Sequence, residues 1–337
     1  WGVDGANATF STAGSENITF TFDPATEKVS VGQSNPPLPG AGLSEAYWIS
    51  EDTIAWPTAL AQGEDVTFAL EGYGPDAVTI TANGDLTAEQ RKAFPRVTNG
   101  YVALKIAGDA REILKGTVQI VALRDGQPIA QTGAQIAGVL DDLYANAADR
   151  DLGVIWDEGA PTLALWAPTA KNVSLKLWQG DAVDPQVVPA TRDDDGVWTV
   201  VGEPGWKNAQ FLWSVDVFVQ SEGDVVTNDV TDPYSLGLTI DSKRSVLVDL
   251  EDPASFPAAW NNNPAPLDND AQQTIYELHI RDFSISDPSV PADLQGTYAA
   301  FDIAESHGMN HLRMLASAGL TSIHLLPTFD IASIPED

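Results

Sequence analysis

Thr274–Ile280 reads TIYELHI, and Leu320–Leu326 reads LTSIHLL. Both runs are short and mostly apolar, which is typical of strands that are buried on both faces of a parallel sheet. Between them, Met309, Leu312 and Leu315 recur at helical spacing. A strand, a helix and a second strand in this order predict one βαβ unit of a parallel sheet. Because a single unit leaves both sheet edges unpaired, we expect it to open a larger parallel barrel.

The sequence before this unit follows a different pattern, in which apolar and polar residues alternate. Val173, Leu175 and Leu177 alternate with polar neighbours, and residues 211–219 repeat the pattern over a longer run. Such alternation is typical of strands with one buried face. About seven short strands at this spacing make up an immunoglobulin-like sandwich, so we predict one such module over residues 151–256.

Residues 39–150 show the same alternation at Ala77–Ala82 (AVTITA) and Thr117–Leu123 (TVQIVAL). Asp125 and Gly126 follow the second run, and an Asp-Gly pair between two such runs indicates a β-hairpin. We therefore predict another β-sandwich over this range.

These patterns predict a multidomain chain in which all-β, immunoglobulin-like sandwiches precede the first βαβ unit of a barrel. The boundaries fall where linkers rich in proline or asparagine interrupt the alternation. We expect residues 1–38 to be the remnant of an upstream β module with its linker. Residues 39–150 and 151–256 are the two predicted sandwiches, and residues 257–337 are the incomplete start of the barrel.

Charge and composition restrict the partners of the chain. The 337 residues include 17 Lys and Arg against 48 Asp and Glu, for a formal net charge of −31. Nucleic acid and anionic membrane surfaces attract clustered cations, so this balance argues against both as partners. No apolar run approaches the ~18 residues of a membrane-spanning helix. The chain has no Cys, which excludes disulfides and thiolate zinc sites.

The first residue is Trp1, with no initiator Met and no apolar leader after it. We expect either that a signal peptide was removed or that the chain was cut from a longer protein. A secreted or periplasmic location is the expectation in the first case.

Several motifs resemble those of one family. Tyr276–Ser284 (YELHIRDFS) resembles the first barrel strand of type I pullulanases and limit dextrinases, the debranching members of the alpha-amylase superfamily of glycoside hydrolases. His324–Asp330 (HLLPTFD) looks like the second barrel strand of that family. Leu165–Ala170 (LWAPTA) is similar to the start of its starch-associated module. The resemblance covers roughly residues 40–337.

The resemblance implies a (β/α)₈ barrel that hydrolyses α-1,6-glucosidic branch points in pullulan, amylopectin or limit dextrins with retention of configuration. In the family, an Asp nucleophile, a Glu acid/base and a second Asp lie on the fourth, fifth and seventh barrel strands. A retaining enzyme holds its two carboxyl groups about 5–5.5 Å apart, one ionised and one protonated. No stretch of this chain matches those three residues, so we expect no catalytic residue in it and no activity from it alone.

Two alternatives remain open on the residues. The chain could belong to a non-catalytic protein that binds α-glucans, although such a protein has no use for an unfinished barrel. It could also belong to a member of the same superfamily that hydrolyses α-1,4 linkages or forms branches. The implied partners are an α-glucan polysaccharide and the remainder of the same enzyme.

Four side chains are candidates for contacting the substrate. Phe329 and Asp330 follow the second barrel strand, and the carboxyl ends of barrel strands are where active sites form. Trp178 and Trp206 have polar surroundings in the sequence, so we expect them to present ring faces on which sugars stack.

The remaining tryptophans of the second sandwich are predicted to be structural. Trp166 and Trp213 lie in apolar alternation and are expected in the core. Because the exposed ring candidates are few and scattered, we expect residues 151–256 mainly to brace the barrel and to bind free glucan weakly.

The titratable residues of the strand–helix–strand unit are expected to be structural. Glu277 and Asp282 are five positions apart, so in a regular strand they point to opposite faces at roughly 16 Å. His307 and His311 have the i, i+4 spacing of metal ligands on a helix, but no further ligand accompanies them.

No cofactor is indicated with certainty. Loops rich in Asp leave calcium open as a ligand, although the chain contains no EF-hand loop. No set of metal ligands is predicted. His279 and His324 fall inside the two predicted strands and are expected to be hydrogen-bonded core residues.

Overall fold

The computed structural model describes residues 18–23, 28–33, 37–97, 99–255, 270–329 and 334–335. The chain divides into two compact units, Trp1–Ser235 and Leu236–Asp337, and each is described by itself.

The first unit contains seventeen strands and three short helices in the described residues. The strands are β1 Ile18–Asp23, β2 Lys28–Gln33, β3 Ala46–Ser50, β4 Thr53–Pro57, β5 Val66–Leu70, β6 Thr79–Asp85, β7 Tyr101–Ala107, β8 Gln119–Arg124, β9 Gln127–Gln135, β10 Gly153–Asp157, β11 Ala160–Trp166, β12 Asn172–Trp178, β13 Gln186–Pro189, β14 Thr191–Arg192, β15 Val197–Val201, β16 Gln210–Val219 and β17 Asp224–Val230. The helices are α1 Ala88–Ala93, α2 Ala110–Ile113 and α3 Ala137–Leu143.

The first two strands form an antiparallel hairpin by themselves, in which Phe20 lies opposite Val31. Paired strands agree with the β module expected within residues 1–38. Residues 24–27, which join the two strands, lie outside the described residues.

Strands β3 to β9 form a closed barrel in the order β3-β4-β7-β6-β5-β8-β9. The predicted open sandwich over residues 39–150 is therefore wrong in one respect, because this sheet closes on itself. Closure depends on a short parallel pairing of β3 with β9, in which Ala46 lies opposite Ala134 and Tyr47 opposite Gln135. A closed sheet leaves no exposed strand edge, which a flat sheet of this size would have.

The core of the barrel is filled by large apolar side chains. Trp48, Trp56, Ile54 and Leu104 are completely buried, and the indole of Trp56 donates a 3.0 Å hydrogen bond to the carbonyl of Ala61. Side chains of this size each contribute about 1.5–3 kcal/mol when fully buried. The barrel therefore has a core large enough to be stable on its own account.

The hairpin predicted at the Asp-Gly pair is present between β8 and β9. Asp125 and Gly126 have φ values of 51° and 77°. Positive φ at both central residues is the conformation of a two-residue hairpin turn that matches the twist of the strands.

Strands β10 to β17 form the predicted sandwich. One sheet has the order β10-β11-β15-β14, and the other pairs β13, β12 and β16, with β17 also paired to β16. Val173, Leu175, Leu177, Phe211 and Trp213 are buried between them, as the alternation predicts. The β14–β15 turn is fixed by the carboxylate of Asp193, which accepts hydrogen bonds from the backbone amides of Asp195 and Val197, both at 3.0 Å.

The second unit contains four strands and two helices in its described residues. These are β18 Gly237–Leu238, β19 Ser245–Val246, β20 Ile275–Leu278, α4 Ile280–Ser284, α5 His307–Ser317 and β21 Ser322–Leu325. Strands β20 and β21 are parallel, with Glu277 opposite His324 and Leu278 opposite Leu325. The predicted order of strand, helix and parallel strand is present, with helix α5 beginning at His307.

Two details of this unit differ from the prediction. The backbone leaves the strand after Leu278, and residues 280–284 form helix α4 instead of continuing the strand. The strands are also not buried on both faces: Ile275, Ile323 and Leu325 are exposed, because the sheet to which they belong has only two strands. Leu278 alone in β20 is buried.

Candidate functional site

A cleft of about 590 Å³ in the first unit brings together three aromatic side chains, those of Tyr144, Trp166 and Tyr234. Asp141, Arg150 and Asp151 supply its polar lining. We refer to this feature as the aromatic cleft. Its residues come from three separate segments, since Tyr144 follows α3, Trp166 ends β11 and Tyr234 follows β17.

Trp166 lies in the aromatic cleft with 36% of its surface exposed, so the prediction that it belongs to the core is wrong. It is the last residue of β11, whereas Leu163, Ala164 and Leu165 before it are buried. The indole Nε1 donates to the carbonyl of Asp195 at 3.1 Å, which holds the ring at the surface. The ring meets that of Tyr144 edge-on, with centroids 6.5 Å apart.

The ring of Tyr144 packs edge-on against that of Trp166 and is almost fully buried. The guanidinium of Arg111 lies 4.6 Å from the centre of its ring, within the range of a cation–π contact. Its hydroxyl accepts a 3.1 Å hydrogen bond from Nη2 of Arg192. These contacts leave the phenol ring no freedom to rotate away from Trp166.

Arg150 at the edge of the cleft is held by two carboxylates. Its Nη2 lies 2.7 Å from Asp193 and its Nη1 lies 2.6 Å from Asp195. Hydrogen bonds to Asp195 and then to Asp193 raise the pKa of the Arg150 guanidinium above its usual value. The side chain is therefore fixed in direction, and its charge is neutralised locally.

Tyr234 presents the most exposed ring of the cleft, at 52%. Its backbone amide donates to Oδ1 of Asp232 at 2.6 Å, and Oδ2 of the same carboxylate accepts a 2.8 Å bond from the indole of Trp213. Burial raises the pKa of Asp232, and these two hydrogen bonds act in the opposite direction. The buried Asp232 thus fixes the loop that carries Tyr234 to the core of the sandwich.

The structure does not present Trp178 and Trp206 as exposed sugar platforms, and that expectation is corrected. They are only 8% and 3% exposed. Trp178 donates from Nε1 to the carbonyl of Val183 at 3.2 Å. Trp206 lies in a short 3₁₀ turn and packs so closely on Gly202 that a Cβ there would lie 2.7 Å from the indole. Polar sequence neighbours do not reveal such packing, because it comes from distant parts of the chain.

In the second unit, Phe329 lies beyond the carboxyl end of β21 and is 84% exposed. This is the end of the parallel strands at which a substrate contact is predicted for Phe329. Asp330 lies outside the described residues.

The two strand histidines are not core residues, contrary to expectation. His279 ends the strand and caps α4, with its Nδ1 accepting from the amide of Asp282 at 3.4 Å. His324 is exposed and its Nδ1 lies 3.1 Å from Glu277 on the neighbouring strand. Because Asp282 lies on α4, the roughly 16 Å separation expected for Glu277 and Asp282 in one extended strand does not apply.

Asp287 organises the start of helix α5. Its nearly buried carboxylate accepts hydrogen bonds from the amide and hydroxyl of Ser289 and from the amide of Gly308 at 3.1 Å. His307 Nδ1 lies 3.3 Å away. The hydrogen bond from the Ser289 hydroxyl, followed by those from the two amides, lowers the pKa of Asp287. His307 therefore lies beside the carboxylate that binds the start of helix α5. In the described part of the chain, no cluster of three or more His, Asp or Glu has the geometry of a metal site.

No helix within the described residues is long and apolar enough to cross a membrane.

Comparison with known families assigns both β domains. Residues 43–142 match the family model described as the pullulanase N2 domain. Residues 151–235 match carbohydrate-binding module 48, described as the isoamylase N-terminal domain.

Individual relatives extend the similarity over most of the chain. A pullulanase of Klebsiella pneumoniae is 35% identical over an alignment of 316 positions, which covers 88% of this chain and 29% of that protein. The chloroplastic pullulanase 1 of Arabidopsis thaliana is 32% identical over 313 residues, 87% of this chain and 32% of that protein. A crystal structure of the maltotriose complex of PulA from Klebsiella pneumoniae superposes with a TM-score of 0.79 at 33% identity, covering 88% of this chain and 34% of that one.

The chain spans about a third of the length of the curated relatives it matches. The two domain matches, the curated pullulanases and the solved structure all agree with the motifs that the sequence carries. The chain carries the domains of the N-terminal portion of type I pullulanases, and its similarity to a pullulanase extends over 88% of its length.

Proposed function

We propose that the chain is part of a glycoside hydrolase that cleaves α-1,6-glucosidic branch linkages in pullulan, amylopectin or limit dextrins. The observation that carries the proposal is the similarity to a pullulanase over 88% of the chain. This similarity extends beyond the two β domains, which together cover only residues 43–142 and 151–235.

The second unit would contribute the first βαβ unit of a (β/α)₈ catalytic barrel. In such barrels the active site forms at the carboxyl ends of the strands. The exposed Phe329 follows β21 at that end, which supports a role on the substrate side. The remainder of the barrel would then be the principal partner of this unit.

Hydrolysis would proceed with retention of configuration. A nucleophilic carboxylate and an acid/base carboxyl about 5–5.5 Å apart are needed for that reaction. The family's three catalytic carboxylates have no counterpart among the motifs of this chain, so the chain would support catalysis by positioning the barrel and recognising glucan. A non-catalytic glucan-binding protein is the second candidate, and the carbohydrate-binding module favours it.

The test is a chimera in which residues 1–337 replace the aligned segment of the Klebsiella pneumoniae pullulanase. We expect release of reducing sugar from pullulan and none from linear amylose. The 337-residue chain assayed alone should give no release above the blank, since a retaining enzyme needs both carboxylates.

A folded chimera that leaves pullulan intact would contradict the proposal and favour the binding-only alternative. As a control on the substrate side, Phe329→Ala in the chimera should lower kcat/KM several-fold without changing its melting temperature.

A further inference from the structure

We propose that the aromatic cleft of the first unit is a binding subsite for α-glucan, with Trp166 and Tyr234 as the sugar-contacting platforms. The class of ligand rests on the proposed function, but the cleft itself is argued from its own geometry. Nothing in the domain matches places a ligand there.

The first argument is exposure. Of the tryptophans that the structure describes, Trp166 alone belongs to the large apolar side chains left exposed. Tyr234, the other well-exposed ring among the residues of this unit whose burial is described, lines the same cleft. The C–H groups of sugars pack on the faces of aromatic rings. Tyr and Trp combine an apolar ring with a polar O–H or N–H group, so they suit binding sites that remain partly exposed to solvent.

The second argument is preorganisation. Trp166 is fixed by the carbonyl of Asp195 and by Tyr144, and Tyr144 is fixed in turn by Arg111 and Arg192. Binding therefore does not need to order these rings, which reduces the entropy lost on association.

The third argument is charge. The only cation lining the cleft, Arg150, is neutralised by Asp193 and Asp195, and the lining also includes Asp141 and Asp151. An anionic ligand would be repelled by this surface, and the chain as a whole carries −31. A neutral ligand with many hydroxyl groups can use both the carboxylates and the guanidinium as hydrogen-bond partners.

The fourth argument is size. The volume of about 590 Å³ lies within the ~300–1,000 Å³ typical of small-molecule sites, so the cleft suits a short stretch of a glucan chain.

Tyr144 precedes the carbohydrate-binding module, whereas Trp166 and Tyr234 belong to it. The cleft is therefore complete only when the barrel and sandwich of the first unit are both present. Because the cleft draws its rings from separate segments, these rings look scattered along the sequence. Binding must therefore be measured on the full chain.

The experiment titrates the 337-residue chain with maltoheptaose by calorimetry and by tryptophan fluorescence. We expect Tyr234→Ala and Trp166→Ala each to weaken binding about tenfold, the order expected for the loss of one aromatic contact. Binding should change the tryptophan emission of the wild type, and the change should be absent in Trp166→Phe, which keeps a ring at that position.

The matched control is Tyr298→Ala, which removes an exposed tyrosine of the second unit. It should leave the affinity unchanged, and thermal unfolding should show that all variants are folded. Cellohexaose, a β-linked glucan, should bind at least tenfold more weakly than maltoheptaose.

The proposal is overturned if the wild type does not bind maltoheptaose, or if the cleft variants bind as well as the wild type. Equal loss in Tyr298→Ala would place the ligand in the second unit, and equal affinity for cellohexaose would refute an α-glucan site. None of these outcomes depends on hydrolysis, so each is separate from the pullulan assay of the chimera.

Discussion

Asp232 and Asp287 are both nearly buried, yet their pKa values move in opposite directions. For Asp232, burial is the larger influence and raises the pKa, despite hydrogen bonds from Trp213 and the amide of Tyr234. For Asp287, hydrogen bonds from Ser289 and Gly308 outweigh burial and lower the pKa. The two carboxyl groups thus differ in whether burial or hydrogen bonding has the larger effect on the pKa.

These directions predict opposite contributions to the pH dependence of stability. The folded-state pKa of Asp287 lies below its usual value of 3.8, so its stabilising contribution is present above that pH and is lost as the pH falls through the folded value. The folded-state pKa of Asp232 lies above 3.8, so its contribution is present below that pH and is lost as the pH rises through the folded value.

We expect the melting temperature of Asp287→Asn to fall less than that of the wild type between pH 6 and pH 3, measured by calorimetry. Asp232→Asn should show the reverse, with its destabilisation relative to the wild type greater at pH 3 than at pH 6. The expected difference between the two variants depends only on the direction of each pKa shift. The same pH profile for both variants would contradict the assignment of the two causes.

At the level of elements, a buried hydroxyl supports the closure of the barrel between β3 and β9, beside their parallel backbone pairing. Thr132 on β9 is completely buried, and its Oγ1 accepts from the amide of Glu45 at 2.9 Å and donates to the carbonyl of Leu43 at 3.1 Å. These two bonds join the segment just before β3 to β9, beside the short parallel pairing. Removing the hydroxyl leaves the amide of Glu45 without this partner, whereas the carbonyl of Leu43 keeps its 2.8 Å hydrogen bond from the amide of Gly133.

Thr132→Val should therefore destabilise the protein by about 1–3 kcal/mol, the usual cost of unsatisfied buried polar groups. Thr132→Ser retains the hydroxyl and should cost less, since it loses only the packing of one methyl group. Urea unfolding of both variants provides the measurement. If the serine variant were as unstable as the valine variant, methyl packing and not the hydrogen bonds would account for the closure.

The elements that the sequence predicts well are those whose pattern is local. The alternation at Val173, Leu175 and Leu177 produces a strand with one buried face, and Asp125-Gly126 produces the expected hairpin. The helix that begins at His307 follows from its periodic apolar residues and from the capping hydroxyl of Ser306.

The elements that it predicts poorly depend on contacts between distant segments. The burial of Trp206 comes from Gly202 and the adjoining strand, and the exposure of Trp166 comes from its place at the very end of β11. Barrel closure through β3 and β9 joins positions almost ninety residues apart, as in the pairing of Ala46 with Ala134. A usable signal for Trp166 was its position just before Ala167-Pro168, because proline interrupts a strand.

At the scale of the first unit, Arg111 and Arg150 join the barrel to the sandwich by binding the acidic turn between β14 and β15. Arg111 of α2 donates to the carbonyls of Asp194 and Leu143, at 3.0 and 3.1 Å. Arg150, between the two domains, binds the carboxylates of Asp193 and Asp195. Each carboxylate therefore links the β14–β15 turn of the sandwich to the end of the barrel, beside the aromatic cleft.

This arrangement predicts that the two domains unfold together. In the double variant Asp193→Asn/Asp195→Asn, the turn keeps an oxygen acceptor for the backbone amides but loses both ion pairs with Arg150. We expect the single calorimetric transition of the barrel and sandwich to separate into two. Because these ion pairs are partly exposed, high salt should move the wild type toward the same behaviour.

The matched control is Asp229→Asn, which removes the 2.6 Å ion pair with Lys176 that lies wholly within the sandwich. It should lower stability without separating the transitions, since no contact between domains is lost. A single transition in the double variant, or a split in the control, would show that apolar contacts couple the domains and that the arginines do not. The result also bears on the aromatic cleft, because Tyr144 and Trp166 lie on opposite sides of this junction and keep their geometry only while it holds.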